Sequence, residues 1–343
     1  MPHTAEEVLA AMTLREKAYQ LLIVFPKDLM GVDPVTKAGD ATRRALEQMP
    51  VGGLLYDRSN MVSRDQLRTM VENSQSYSKI PLIITCDEEG GRVARLMRTV
   101  GTPKLNAMLT YRDQGTGKAA ENARILAGGL TSCAFNMDLA PVADVWSNPD
   151  NTVIGDRAYS TDYQEAADLV AAAVRGFHDG GAACTLKHFP GHGDTSEDSH
   201  YGSAYVRKSL EQLRAGELLP FAAGIRAGAD AVMLGHLIVE EIDSEPAPFS
   251  RAIVTDLLRG ELGFQGVVMT DSLQMQAMTD HYGLREMAVK AVQAGVDVLL
   301  CPADPAAAAD ALVDAVESGT ISQSRLDESV LRVLRLKENR GIL

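Results

Sequence analysis

The amino-acid sequence predicts an α/β fold of the (β/α)8 barrel type, with an active site at the C-terminal ends of the strands. Eight short apolar runs rich in Val, Ile and Leu alternate with segments of helical periodicity. Such runs are typical of strands buried on both faces of a parallel sheet. Polar residues collect directly after several runs, where barrel enzymes carry their catalytic groups. A doubly wound open sheet shows the same alternation and stays an alternative.

The predicted elements follow one another along the whole chain. Thr4 with Glu7 and Thr13 with Glu16 match the Ser/Thr-x-x-Glu capping box, so residues 1–19 are expected to form a helical lead-in. The predicted strands span residues 20–25, 51–56, 81–86, 137–142, 183–186, 231–235, 266–270 and 297–300. The predicted helices span residues 63–78, 118–133, 162–178, 209–227, 250–262, 284–294 and 305–318. A C-terminal helix is expected within residues 322–343 with Ser322 as its N-cap, and no linker divides the single catalytic barrel domain expected over residues 1–343.

Composition excludes several classes of partner. A net charge of −13 argues against nucleic acid and anionic membranes, because both require basic surfaces. The first residues have no basic segment before an apolar core, and no run reaches the roughly 18 apolar residues of a membrane span. We therefore expect a cytoplasmic monomer or weak homo-oligomer that acts on a small molecule. The cysteines are few and are expected to be reduced core residues: Cys86, Cys133, Cys184 and Cys301.

Residues 187–200, Lys-His-Phe-Pro-Gly-His-Gly-Asp-Thr-Ser-Glu-Asp-Ser-His, carry the densest chemistry of the chain. Asp198 and His200 lie two apart, so in extended backbone the carboxylate can reach the imidazole and support its protonated form. A plain polar loop stays open as an alternative reading. So does a metal site, which would be built from His188, His192, Asp194 and His200.

Other polar residues follow the predicted strands. Asp87 comes after the third strand, Lys187 and His188 after the fifth, His236 after the sixth and Asp271 after the seventh. Each acid on its own could be a helix N-cap. Together, these residues predict a site at one end of a barrel.

These motifs resemble those of the β-N-acetylhexosaminidases of glycoside hydrolase family 3, of the single-domain type that removes N-acetylglucosamine from cell-wall fragments. The resemblance covers nearly the whole chain from Thr13 onward. It is carried, in the family's order, by residues 87–93 (DEEGGRV), 151–157 (NTVIGDR), 187–200 and 263–275 (GFQGVVMTDSLQM). Of these four motifs, residues 187–200 are the most specific for the family.

The resemblance implies a retaining glycosidase without metal or organic cofactor. Asp271 matches the nucleophile, and His200, oriented by Asp198, matches the acid/base. An imidazole with an ordinary pKa of about 6.5 can both donate and accept a proton near neutral pH. The family's positions that hydrogen-bond the terminal sugar match Asp87, Arg95, Arg157, Lys187 and His188.

Two positions depart from the family pattern. Glu88 stands where Gln is expected, and Ser272 stands where a second acid would follow the nucleophile. Both changes could alter supporting hydrogen bonds, but neither residue has a catalytic role. His236 is expected to support the site or the core, and His192 to brace its loop.

Three alternatives stay open at this point. A β-N-acetylglucosaminide phosphorylase would use the same Asp nucleophile and Asp-His pair, since a neutral histidine would not repel phosphate as a carboxylate would. A metal-dependent hydrolase would use the histidines, although their spacing matches no His-Glu-x-x-His helix. A non-catalytic sugar-binding barrel would not need the two aspartates and the histidine together. The natural substrate is expected to be a peptidoglycan fragment or a chitin-type oligosaccharide.

Overall fold

A computed structural model describes residues 4–195 and 204–343, and within them eight parallel strands form a nearly closed barrel. The strands are β1 Leu22–Val24, β2 Gly53–Leu55, β3 Ile83–Cys86, β4 Met137–Asp138, β5 Ala183–Phe189, β6 Ala231–Leu234, β7 Val267–Thr270 and β8 Leu299–Leu300. From β1 to β7 each strand pairs with the next one in the chain, and β1 also pairs with β8. A parallel bridge between Met269 and Val298 brings β7 against β8. The predicted (β/α)8 barrel is confirmed.

The barrel strands are buried along their whole lengths. This burial on both faces explains why the strands read as continuous apolar runs rather than as alternating patterns. All four cysteines, which lie among the described residues, are buried and unpaired, as expected. No helix in the described part of the chain is long and apolar enough to cross a membrane.

Helices surround the barrel and connect its strands. They are α1 Ala5–Ala11, α2 Leu14–Gln20, α3 Pro26–Met30, α4 Asp40–Gln48, α5 Arg64–Tyr77, α6 Leu96–Thr99, α7 Gly115–Ser132, α8 Tyr163–Asp179, α9 Leu210–Ala215, α10 Leu218–Arg226, α11 Gln276–Thr279, α12 Leu284–Ala294, α13 Pro305–Glu317 and α14 Gln323–Asn339. The two predicted capping boxes are present at Thr4 and Thr13. The Ser322 side chain accepts a hydrogen bond from the Arg325 amide and caps α14, as predicted.

Two strand boundaries differ from the prediction. Strand β4 ends at Asp138 instead of residue 142, because Pro141 has no N–H to offer a neighbouring strand. Strand β5 continues past Leu186 to Phe189. Lys187 and His188 therefore lie within a buried strand, not on the loop that follows it, and their backbone is held by the barrel.

Two helix predictions were also wrong in detail. Residues 209–227 form two helices, α9 and α10, separated at Gly216, where a Cβ atom would lie 3.0 Å from the ring of Tyr163. The segment Ala252–Glu261 is a π-helix rather than an α-helix. Two short sheets lie outside the barrel: an antiparallel hairpin of Glu88–Gly90 with Val93–Ala94, and a parallel pair of Ala204–Val206 with Leu237–Val239.

Candidate active site

A cavity of about 600 Å³ opens at the C-terminal ends of the barrel strands. Its charged and titratable lining includes Asp87, Arg95, Arg157, Lys187, His188 and Asp271. The structure thus brings together all the candidate site residues that lie within its described ranges. Apolar side chains, among them Phe25, Met233 and Met275, complete the wall.

Asp271 directly follows β7 and borders the cavity. Its backbone N–H donates to the Leu234 carbonyl at 3.0 Å, and its Oδ1 accepts from the Ser272 amide at 2.7 Å. Burial alone would raise the pKa of Asp271, but the nearby imidazoles of His188 and His236 outweigh it and lower that pKa below its usual range. Asp271 is therefore an ionised carboxylate at neutral pH.

Lys187 extends from β5 and is almost fully buried. Its Nζ lies 2.7 Å from Asp87 Oδ1 and 2.7 Å from Glu89 Oε1. Burial would lower the pKa of Lys187, but the two carboxylates overcome this effect and raise it. The lysine is a fixed cation that holds Asp87 in the wall of the cavity.

Arg157 contacts the second of these acids, Glu89. Its Nε lies 2.8 Å from Glu89 Oε2 and its Nη2 lies 2.8 Å from Glu89 Oε1, in a bidentate ion pair. Glu89 is buried, which would raise its pKa, yet Arg157 and Lys187 lower that pKa far below the usual range. Glu89 thus orients two of the predicted sugar-binding cations, whereas Asp156, the chain neighbour of Arg157, pairs with Arg92.

Asp144 organises the two histidines at the start of the histidine-rich stretch. Its Oδ2 accepts from His188 Nδ1 at 2.7 Å, and its Oδ1 accepts from the His192 backbone N–H at 2.7 Å. His192 Nδ1 lies 2.8 Å from Thr195 Oγ1, and its carbonyl accepts from Asn151 Nδ2 at 2.7 Å. His192 is buried and braces the loop, whereas His188 reaches the cavity.

His236 contacts the backbone of the residue that follows the nucleophile candidate, Asp271. It is buried, and its Nε2 donates to the Ser272 carbonyl at 2.9 Å. Ser272 therefore links His236 to Asp271 through its own backbone. Its hydroxyl accepts from the Gln274 amide at 3.3 Å, so the unexpected serine has a local structural use.

Glu88 shapes the wall that carries Arg95. Its carboxylate accepts from the backbone N–H groups of Arg95, Leu96 and Met97 at 2.6 to 2.8 Å. Arg95 in turn places Nη2 3.4 Å from Asp87 Oδ2. A carboxylate has two acceptor oxygens and can accept all three hydrogen bonds. This is a physical reason for Glu at position 88, where the family pattern has Gln.

Asp198 and His200, the predicted acid/base pair, lie outside the described residues. Asp194, before the pair in the chain, and Lys208, after it, are joined by an ion pair of 3.2 Å. Lys208 also contacts the buried carboxylate of Glu217 and the Tyr163 hydroxyl. These contacts connect the chain before and after the predicted pair.

In the described part of the chain, one group of side chains has the spacing of a metal site: His178, Cys184 and Asp230. It lies at the N-terminal side of β5 and β6, away from the cavity. The Arg340 guanidinium contacts it, with Nε 2.5 Å from Asp230 Oδ1 and Nη2 2.6 Å from His178 Nε2. The Arg340 guanidinium therefore occupies the position that a metal ion would take. His188, His192 and Asp194 form no such group among the described residues.

Sequence reasoning missed two residues of this site. Asp144 follows the fourth apolar run and Glu89 follows the third. Both are acids that come soon after a predicted strand, which is the pattern that predicted Asp87 and Asp271 as site residues. Their partners are 44 and 68 residues away along the chain, so no local pattern could identify the contacts.

Comparison with known proteins reveals relatives over most of the chain. Residues 13–336 match the family model for the glycosyl hydrolase family 3 N terminal domain. A β-hexosaminidase of Stenotrophomonas maltophilia (strain K279a) is 39% identical over 260 residues, which are 74% of this chain and 77% of the relative. A β-hexosaminidase of Tolumonas auensis is 35% identical over 83% of this chain and 85% of its own length.

Solved structures agree with the barrel. A family 3 β-N-acetylglucosaminidase from Paenibacillus sp. is 40% identical, with a TM-score of 0.90 over 97% of this chain; the chain spans 63% of that protein. A β-N-acetylhexosaminidase from Beutenbergia cavernae is 29% identical, with a TM-score of 0.84, over 97% of this chain and 99% of its own.

Proposed function

Because this chain belongs to the β-N-acetylhexosaminidases of glycoside hydrolase family 3, we propose that it is a retaining glycosidase. Its substrate would be terminal, non-reducing β-linked N-acetylglucosamine on peptidoglycan fragments or chitin-type oligosaccharides in the cytoplasm. One observation carries this proposal: Asp271, a carboxylate with a lowered pKa, borders the same cavity as the cations Lys187, Arg157 and Arg95.

Asp271 would act as the nucleophile. Its ionised oxygen attacks the anomeric carbon while the bond to the leaving sugar breaks, and a glycosyl-enzyme ester forms. Water then attacks the same carbon and releases Asp271. Two displacements restore the original configuration, so the product would keep the β-anomeric form. The lowered pKa suits this role because a protonated carboxyl is a poor nucleophile.

His200, oriented by Asp198, would supply and recover the proton. In the first step it protonates the leaving oxygen, and in the second it takes a proton from the attacking water. The outcome for His200→Gln should depend on the leaving group. A nitrophenolate leaves with little protonation, whereas a sugar alkoxide needs it. We therefore expect a much larger loss of rate with a disaccharide than with a nitrophenyl glycoside.

The five binding candidates would hold the terminal sugar. Asp87 offers carboxylate oxygens to sugar hydroxyls, while Lys187, Arg95 and Arg157 offer charged donors. His188, whose Nδ1 donates to Asp144, would add its other ring nitrogen, Nε2. Because Glu89 and Lys187 already hold this network together, the site is preorganised, and little ordering would be needed on binding.

The first experiment is nitrophenol release from 4-nitrophenyl N-acetyl-β-D-glucosaminide in the presence of chelator and absence of phosphate. We expect turnover by the native protein and a loss of about four orders of magnitude or more in Asp271→Asn. Asp280→Asn, an exposed aspartate nine residues further on, is the matched control and should keep full activity. Absence of native turnover would contradict the proposal. Turnover that appears only with added phosphate would indicate a phosphorylase, and turnover lost only in chelator would indicate a metal-dependent enzyme.

A further inference from the structure

Two described segments of the chain flank the predicted acid/base pair, Asp198 and His200. The first flanking segment ends at Thr195, which is only 2% exposed. Asn148 Nδ2 donates to the carbonyl oxygens of Asp194 and Thr195 at 3.3 and 3.4 Å. The chain before the pair is therefore attached to the segment that follows β4.

The second flanking segment, Ala204–Val206, is attached to the barrel as well. It pairs in parallel with Leu237–Val239, and its two end residues are buried. His236, which directly precedes its partner segment, donates to the backbone carbonyl of Ser272 beside the proposed nucleophile. The chain after the pair therefore returns to a segment that is connected with Asp271.

One lysine joins the two flanking segments. Lys208 Nζ, two residues after the second segment, lies 3.2 Å from Asp194 Oδ1 in the first. It also lies 2.5 Å from Glu217 Oε1 and 3.1 Å from the Tyr163 hydroxyl oxygen. Ser147 Oγ donates to the same oxygen of Asp194 at 3.0 Å. The ion pair with Asp194 therefore fixes the separation between the two ends of the stretch that carries the acid/base pair.

Lys208 is itself anchored on two helices outside the barrel. Tyr163 begins α8, Glu217 directly precedes α10, and the Tyr163 hydroxyl donates to Glu217 Oε1 at 2.9 Å. Glu217 is 2% exposed, and its Oε2 has no hydrogen-bond partner among the described residues. Burial would lower the pKa of Lys208, but its hydrogen bonds to Glu217 and Tyr163 raise that pKa, so the lysine is a cation at neutral pH. A buried carboxylate without a cation is costly, which keeps Lys208 in this place.

From these contacts we propose that Lys208 and Asp194 are positioning residues for the acid/base. The inference rests on the proposed function, in which His200 protonates the leaving oxygen. Asp194 is 34% and Lys208 20% exposed, and ion pairs of such exposure stabilise a fold only slightly. Proton transfer, in contrast, requires a heavy-atom distance of about 2.6 to 3.2 Å, and a displacement of about 1 Å can cost about a hundredfold in rate. Loss of the ion pair should therefore affect acid catalysis more than folding.

Two substrates with different leaving groups test this inference. One is 4-nitrophenyl N-acetyl-β-D-glucosaminide, whose leaving group needs little protonation, and the other is N,N′-diacetylchitobiose, whose leaving sugar needs an acid. Asp194→Ala removes the ion pair and leaves Lys208 on Glu217. In this variant kcat/KM for the disaccharide should fall by about 10- to 100-fold, mainly through kcat, and kcat/KM for the nitrophenyl glycoside should change by less than about threefold.

A double variant separates a joint effect of the two residues from two independent effects. Lys208→Met should show the same selective loss on the disaccharide, together with a lower melting temperature, because Glu217 then lies buried without its cation. If the residues act through their ion pair, the selective loss in Asp194→Ala/Lys208→Met should be no larger than in Lys208→Met. Additive losses would overturn the inference.

Controls separate the possible failures. Lys290→Met is the matched control, because Lys290 Nζ also pairs with a carboxylate, 3.1 Å from Glu245 Oε1, and neither residue belongs to the flanking segments. It should keep the native ratio of the two kcat/KM values. Equal losses on both substrates in Asp194→Ala, or no loss on the disaccharide, would overturn the inference. Absence of native turnover would refute the proposed function itself, and a His200→Gln variant without leaving-group dependence would refute the acid/base assignment together with the inference.

Discussion

Asp144 holds His188 by two hydrogen bonds: its Oδ2 lies 2.7 Å from the imidazole Nδ1 and 3.1 Å from the backbone nitrogen of the same residue. The other carboxylate oxygen accepts from the His192 amide. One fully buried acid therefore connects a barrel strand to the loop that follows it. The pKa of Asp144 reflects this: burial would raise it, but the charge and hydrogen bonds of His188 lower it below the usual range.

Removal of the Asp144 carboxylate should destabilise the fold. Asp144→Ala leaves the imidazole N–H and two backbone N–H groups buried without their acceptor, so we expect a loss of about 3 to 5 kcal/mol in the free energy of unfolding. Urea denaturation measures this loss. Asp113→Ala, at a side chain that is 93% exposed, should change stability by less than about 0.5 kcal/mol. Equal effects of the two substitutions would refute this assignment.

Replacement of His188 should shift the pH dependence of activity. Among the influences that lower the pKa of Asp271, the charge of His188 is the largest. In His188→Gln that pKa should rise, and because the nucleophile must be ionised, the acidic limb of kcat/KM should move to higher pH. The pH profile of nitrophenol release measures the shift. The exposed His281→Gln is the control and should keep the native profile. A lower rate without a shifted limb would contradict this coupling.

Gly193 allows the loop after β5 to pass close to the barrel. A Cβ atom at this position would lie 1.7 Å from the Val145 carbonyl oxygen, so Gly193→Ala must displace the backbone. We expect a lower melting temperature together with reduced kcat/KM, since Gly193 directly follows His192, which Asp144 connects to His188. Gly128→Ala, at an exposed position of α7 with open space around it, should instead stabilise by up to about 1 kcal/mol. A native-like Gly193→Ala would mean that the loop tolerates a different path.

Lys337 makes the stability depend on pH. It is fully buried in α14, its Nζ donates to Gln20 Oε1 at 2.8 Å, and burial lowers its pKa to about 7. The unfolded chain, with a lysine pKa of about 10.4, binds more protons between pH 7 and 10, so stability should rise with pH across that window. Lys337→Met should flatten this rise and increase the melting temperature at pH 7. The exposed Lys79→Met controls for the loss of one lysine charge. An unchanged slope in Lys337→Met would refute the assignment.

The local pattern of the sequence determined the barrel and the polar residues at its strand ends. Buried parallel strands must be apolar throughout, and helix caps need particular side chains, so both leave a signal within a few residues. Asp87, Lys187, His188 and Asp271 carried such a signal, because each closes or directly follows an apolar run.

Only the tertiary structure decided how these residues are paired and charged. Glu89 holds Arg157 and Lys187, and Asp144 holds His188 and His192. The barrel brings together side chains that are 44 to 100 residues apart in the chain. Ion pairing and burial depend on distance in space, and no periodicity in the sequence encodes that distance.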